Sequence, residues 1–305
     1  MNLIKKIPLP ITGVMLGFAA LGNLLQSCSE GVRLLCGAVS LILGILFVIK
    51  VIAGPSDFKK DMQNPIMASV SGTFSMALML LAGYAKPFIG NAAKYIWYLA
   101  ILLHVVLIIY FTVKFILHLQ MPKVFASYFI VYVGIVVASI TAPAFEALAV
   151  GTVCFWFGFI CLLLLLGLVT YRYAKFKEVP EPAQPLFCIY TAPVSLCVAG
   201  YIQSVVPKNK VFLLAMAVVA VLIYIIVLVK LVGFLKLKFY PSYAAFTFPF
   251  VISAIAMKQT LACMMNMGSP IPWLAPIVLI QTIIAAVLVV YTLIRFIMNI
   301  CGKQA

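Results

Sequence analysis

Charge is the scarcest commodity in this chain. Of 305 residues only 9% are charged, 21 of them basic and six acidic, and 66% of the chain is apolar. A soluble domain is roughly a quarter charged and about half apolar. This composition cannot make a water-facing surface, which excludes a soluble enzyme or binding module and leaves a polytopic membrane protein. Histidine is reduced to His104 and His118, and the eight cysteines show no CxxC pair or Cys/His cluster. A free cysteine packs as a small apolar residue, so neither a metal site nor a disulfide framework is indicated. The sequence has no phosphate-binding Gly-rich loop, dinucleotide fingerprint or Ser-His-Asp set, so no enzyme activity and no cofactor are expected.

The acids are as telling by position as by number. Glu30, Asp57, Asp61, Glu178 and Glu181 fall in loops, and Glu146 falls near one end of a span. Proton-coupled carriers keep carboxylates inside the membrane, so Glu146 is the one candidate for proton coupling. His104, inside a span, reads as a hydrogen-bonded packing residue. Lys258 reads as a snorkelling lysine that could also draw anions to a mouth.

What the sequence does have is grease in spans. A spanning helix needs about 20 mostly apolar residues. Ten stretches qualify, near 9–27, 32–53, 66–86, 93–119, 124–146, 149–171, 186–206, 211–235, 243–265 and 273–300. The first follows Lys5-Lys6 without a convincing cleavage site, so it reads as retained rather than as a signal peptide. On alternating sides, Arg33, Lys86, Lys94, Lys208, Lys210 and Lys258 fall opposite the termini, and the other 15 of the 21 basic residues fall with them. The positive-inside rule then puts both termini in the cytoplasm. The net charge of +15 is accounted for by contact with anionic lipid headgroups, not by nucleic acid.

Odd-numbered spans open at Pro8, Pro65, Pro122, Pro185 and Pro241, in steps of 57, 57, 63 and 56 residues. A fixed period of this size points to repeats. The expected fold is all-α, a single transmembrane domain of ten helices in five quasi-symmetric hairpins (8–64, 65–121, 122–184, 185–240 and 241–305). Odd spans carry Gly, Pro, Ser and Thr; even spans are nearly plain grease. Small and hydroxylated residues suit helix contacts, so the odd helices are expected to form an inner ring around a pore. Expected lining residues are Thr12, Ser71, Gly72, Ser127, Phe129, Thr191 and Thr247. Kinks are expected at Gly17, Gly134, Pro193 and Pro249. Seven residues after each leading proline stand Met15, Gly72, Phe129, Ala192 and Phe248, a proposed ring at one depth. An uncharged constriction with an aromatic member can close by blocking or dewetting, and Phe248 is the expected gate.

Pro8-Leu-Pro10 ahead of a glycine-bearing first helix, and Phe246-Thr-Phe-Pro-Phe250 in the ninth span, resemble the tellurite-resistance/dicarboxylate transporter family. That family includes the bacterial tellurite-resistance protein, fungal malate permeases and the slow anion channels of plant guard cells. The likeness covers essentially the whole chain. It implies a homotrimer in a bacterial-type plasma membrane, each protomer with its own pore occluded by a phenylalanine that matches Phe248. A second aromatic of the plant channels has no counterpart, because the region reads Ser71-Gly72-Thr73 with Phe74 displaced. The long phosphorylatable tails of the plant members are also missing, which argues against kinase activation. Three functions follow. The first is a channel for small anions such as chloride or nitrate, through a neutral pore. The second is a proton-coupled or facilitated carrier of dicarboxylates or oxyanions such as malate or tellurite. The third is a non-transporting scaffold.

Overall fold

The structure, a computed structural model, describes residues 4 and 6–302. Lys5 and Lys303, two of the basic residues assigned to the terminal side, lie outside the described residues. Eight helical segments are long and apolar enough to cross a membrane. The five even-numbered spans are continuous: α2 (Glu30–Ala53), α6 (Ala92–Phe111, prolonged by a wider turn to Ile116), α9 (Leu148–Lys175), α11 (Lys210–Phe234) and α13 (Ala275–Ile300). Side-chain acceptors start two of them, with Ser29 capping Val32 N–H and Asn209 capping Phe212 N–H, which satisfies donors that the first turn leaves free. At about 1.5 Å per residue, the 24 residues of α2 reach about 36 Å, enough for a hydrocarbon core of about 30 Å.

Odd-numbered spans lie inside, and all but the first are interrupted or change helix type along their length. They comprise α1 (Ile11–Leu25), α4 (Pro65–Val70) followed by α5 (Gly72–Ile89), α7 (Tyr128–Tyr132) followed by α8 (Val136–Thr141), α10 (Thr191–Ser204) and α12 (Phe248–Asn266). Tight 3₁₀ turns lead into α10 (Glu181–Tyr190) and α12 (Pro241–Phe246). In the segment Glu181–Ser204 89% of the most apolar stretch is buried, against 22% for Ala92–Ile116. That contrast separates a protein-facing helix from a lipid-facing one. Contacts among the odd elements close into a circuit, α1 to α5 to α8 to α10 to α12 and back to α1. Each also packs against the even helix that follows it in the chain.

Two of the ten expected spans fall short of membrane length: Ile11–Leu25 and Val136–Phe145 are shorter apolar helices. In the first, Pro8 and Pro10 hold the entry in tight turns, with Ile11 N–H bonded to Pro8 C=O and Thr12 N–H to Leu9 C=O. In the second, the chain breaks at Gly134, whose N–H reaches past one turn to Phe129 C=O. A Cβ built there would lie 2.1 Å from the Ile130 carbonyl oxygen and 2.8 Å from Met76 Sδ, so the joint requires glycine.

His104 fastens this joint from behind. It is fully buried, with Nε2 3.0 Å from Val131 C=O and Nδ1 2.8 Å from Ser75 Oγ, so one ring ties α6 to α5 and α7. His104→Phe keeps the volume but removes the side-chain donor to Val131 C=O, while Ser75 retains Gly72 C=O as a partner. An unsatisfied buried polar group costs about 1–3 kcal/mol, so the variant is expected to lower the apparent melting temperature in detergent. Unchanged thermal unfolding would remove His104 from the set of structural ties.

Candidate functional site

The site grows out of the joints. Where the chain passes from a tight turn into an α-helix, carbonyls lose their regular partners, and inside a membrane each needs a replacement. Hydroxyls three residues on supply it. Ser69 donates to Ile66 C=O, Ser71 to Ala68 C=O, Thr191 to Cys188 C=O and Thr247 to Ala244 C=O, at 2.7–3.1 Å. Thr12 does the same to Leu9 C=O and accepts from Thr73 at 2.7 Å. In four of the five repeats, all but that opened by Pro122, the hydroxyl four to six residues after the leading proline is therefore engaged in local backbone bonding. Thr12, Ser71, Ser127, Thr191, Thr247 and Gly72 do not border either of the cavities described next. Ser127 is fully buried without a hydrogen-bond partner. Gly72 looks outward, where a Cβ would meet Leu107, Ile130 and His104.

A cavity of about 1300 Å³ occupies the N-terminal ends of the odd elements. Its wall takes residues at helical spacing from one face of each: Gly13 and Leu16; Val70, Thr73 and Met76; Ile130 and Val133; Ile189, Ala192 and Leu196; Ala245 and Phe248. Phe129, Gly134, Pro193 and Pro249 also border it. Of the ring expected seven residues past each proline, Phe129, Ala192 and Phe248 face the cavity. Met15 instead packs on the outer helix, its Cε 2.7 Å from a Cβ built at Gly44. In the first two repeats the facing residue is one further on, at Leu16 and Thr73. Sequence reasoning missed this shift because a uniformly apolar helix carries no mark of its own rotation.

A second cavity, of about 260 Å³, lies among the C-terminal parts of the same elements, beside Asn23, Leu80, Val137, Ile252, Lys258 and Gln259. Phe248 is the residue that borders both cavities. Its ring is 5% exposed and begins α12 directly after a non-helical joint at Thr247 (φ −96°, ψ −97°). Thr247 is held across the circuit, donating to Gly13 C=O at 2.9 Å. Gly17 leaves room for it, since a Cβ there would lie 2.5 Å from Thr247 Cβ. The bend of this span therefore falls at Thr247. Pro249 is the second residue of the new helix, and Pro193 is the third of α10, positions where a missing N–H removes no intrahelical bond. Gly17 lies within the unbroken α1, and Gly134 is the expected kink position where the chain does break.

Charge collects at the open end of the large cavity. Lys123, Lys175 and Lys177 are exposed there, with Glu178. Arg172 is 1% exposed and binds only carbonyls, those of Pro122, Phe176 and Glu178, with its guanidinium 4.6 Å from the centre of the Phe125 ring. The two ion pairs among the described residues, Arg33–Glu30 and Lys50–Asp61, do not include it. The mouth thus carries a net positive field. Glu146 lies away from both cavities, exposed on the left-handed turn before α9 (φ 53°). Among the described residues no three His, Cys, Asp or Glu side chains come together as a metal site.

No curated protein matches the chain. A family model does, over residues 6–298. Buried odd-numbered elements sit within continuous, more exposed helices around a cavity with a basic mouth, and by the family match this chain belongs to the voltage-dependent anion channel (SLAC1) family.

Proposed function

We propose that the chain conducts small anions along a path inside each protomer, from the basic mouth through the large cavity to the small one, and that Phe248 closes it. The observation that supports this reading is that one side chain, Phe248, borders both cavities among the buried helices. The five hairpins form one transmembrane domain, both termini lie on the side of the basic mouth, and the assembly is a trimer of independent paths in the plasma membrane. Gly13, Thr73 and Ala192 contribute to the uncharged wall, and of the joint-bonded hydroxyls only Thr73, which also bonds Val70 C=O, borders it. Helices α5, α10 and α12 begin beside the large cavity, so their positive dipole ends favour an anion there without a fixed charge. Sites of that kind are weak enough for the ion to leave. Reversal potentials of purified protein in bilayers under chloride, nitrate and malate gradients test the reading. Currents should reverse at the potential of the anion gradient, and saturable pH-driven uptake without such currents would replace the channel by a carrier.

The mouth has its own signature. Replacing Lys123, Lys175 and Lys177 together by Gln should lower anion flux several-fold in about 10 mM salt and much less in about 150 mM. The screening length falls from about 30 Å to about 8 Å between those conditions. Equal loss at both ionic strengths would mean that the lysines act by contact rather than by steering.

A further inference from the structure

The small cavity holds a set of hydrogen-bond donors that conduction past Phe248 does not by itself explain. Asn23 accepts from Arg33 Nε through its Oδ1 at 3.3 Å. Because a guanidinium only donates, this fixes the amide, and the Asn23 NH₂ group is the end left for the cavity it borders. Lys258, about 15 Å beyond Phe248 along α12 at about 1.5 Å per residue, gives two of its three protons to Leu24 C=O at 2.7 Å and Ser27 Oγ at 2.6 Å. The third remains. Gln259 borders the same space, and its buried Oε1 has no donor. An amide oriented by nothing is free to turn its NH₂ group inward. The remaining wall is apolar, from Leu80, Val137, Ile140 and Ile252, and no carboxylate borders it. Arg33, which bonds Asn23, is itself paired with Glu30.

We propose that this cavity is a binding site for one small monovalent anion, such as chloride or nitrate, held by Asn23, Lys258 and Gln259 on the far side of Phe248 from the basic mouth. The proposal deepens the conduction reading and rests on it for the route of the ion, not for its binding. Three N–H-bearing side chains on the wall of one small cavity, one of them positively charged, suit one negative charge. A dicarboxylate would leave its second carboxylate against Val137 and Ile140, and burying an unpaired charge is prohibitive. The ammonium is already shared with two oxygens, which keeps the site loose enough for exit. Capping the last turn of α1 accounts for the Leu24 bond of Lys258, but not for the amides of Asn23 and Gln259 bordering the same space.

The test begins with binding. Purified protein in detergent should broaden the chloride-35 NMR line, and nitrate should reverse the broadening while malate should not. Asn23→Asp keeps an oxygen for Arg33 but puts a carboxylate where the NH₂ group was, and should cut the nitrate-sensitive broadening at least fivefold. Lys258→Met should do likewise. Wild-type broadening in Asn23→Asp overturns the site, and displacement by malate as strong as by nitrate overturns the ligand class. Anomalous scattering from bromide-soaked wild-type crystals needs no variant to fold. A bromide peak within hydrogen-bonding reach of the three residues is expected, and its absence overturns the proposal. Bromide in place with no rise in flux for Phe248→Ala would sink the gate and leave the site standing.

Discussion

Phe248→Ala is expected to raise anion conductance by about tenfold or more in planar bilayers. Tenfold corresponds to only about 1.4 kcal/mol of barrier, and an apolar ring across a dry constriction opposes an ion by at least that much. Its neighbours in the same stretch provide the control. Phe246 and Phe250 are fully buried, with Phe246 4.7 Å from the Tyr243 ring and Phe250 edge-on to Tyr224 at 5.6 Å. Truncating a packed phenylalanine costs about 3–5 kcal/mol, so Phe246→Ala and Phe250→Ala should destabilise the protein without opening it. Phe248 borders space on two sides and has less packing to lose, so its truncation should cost less stability while it raises the current. Destabilisation of the Phe248→Ala variant with wild-type currents would reduce this residue to a core side chain.

Gly17→Ala should have a large effect for a single added methyl group. The new Cβ would stand 2.5 Å from Thr247 Cβ, 2.8 Å from its Oγ1 and 3.3 Å from Phe248 N, so α1 and the joint that carries Phe248 cannot keep their present approach. Overpacking of this kind costs about 1–3 kcal/mol. It would also strain the Thr247 bond to Gly13 C=O, so both the melting temperature and the resting conductance should change. Gly167→Ala is the matched control, because nothing lies within 4 Å of a Cβ built there. It should leave conductance intact and slightly favour its helix, since Gly is about 1 kcal/mol poorer than Ala in a helix interior. Equal behaviour of the two variants would break the link between the Gly17 contact and the position of the ring.

Gly17 and Gly167 illustrate how far the site could be read before the fold was known. Both are glycines in apolar helices, and only the partner across the interface distinguishes them. The same holds for the hydroxyls. Their recurrence after each leading proline is plain in the sequence, yet Ser71, Thr191 and Thr247 turn to carbonyls of their own chain. A hydroxyl that lines water and one that mends a helix joint are the same residue at the same spacing. Phe248 stood out in the sequence as an aromatic beside a proline in a span rich in small and hydroxylated residues. Its place between two cavities did not.

Composition alone determined that this chain lives in a membrane, because too few charges exist to face water. The contrast of greasy with small-residue spans determined which helices would be buried, and the placement of basic residues determined that one side would be positive. The rotation of each inner helix, the location of the bend at Thr247 rather than at Pro249, and the meeting of Asn23 with Lys258 were decided only in the tertiary structure. The reason is physical: an inner helix buried on nearly all sides has no single face marked by its own sequence, so its neighbours choose which residues look inward.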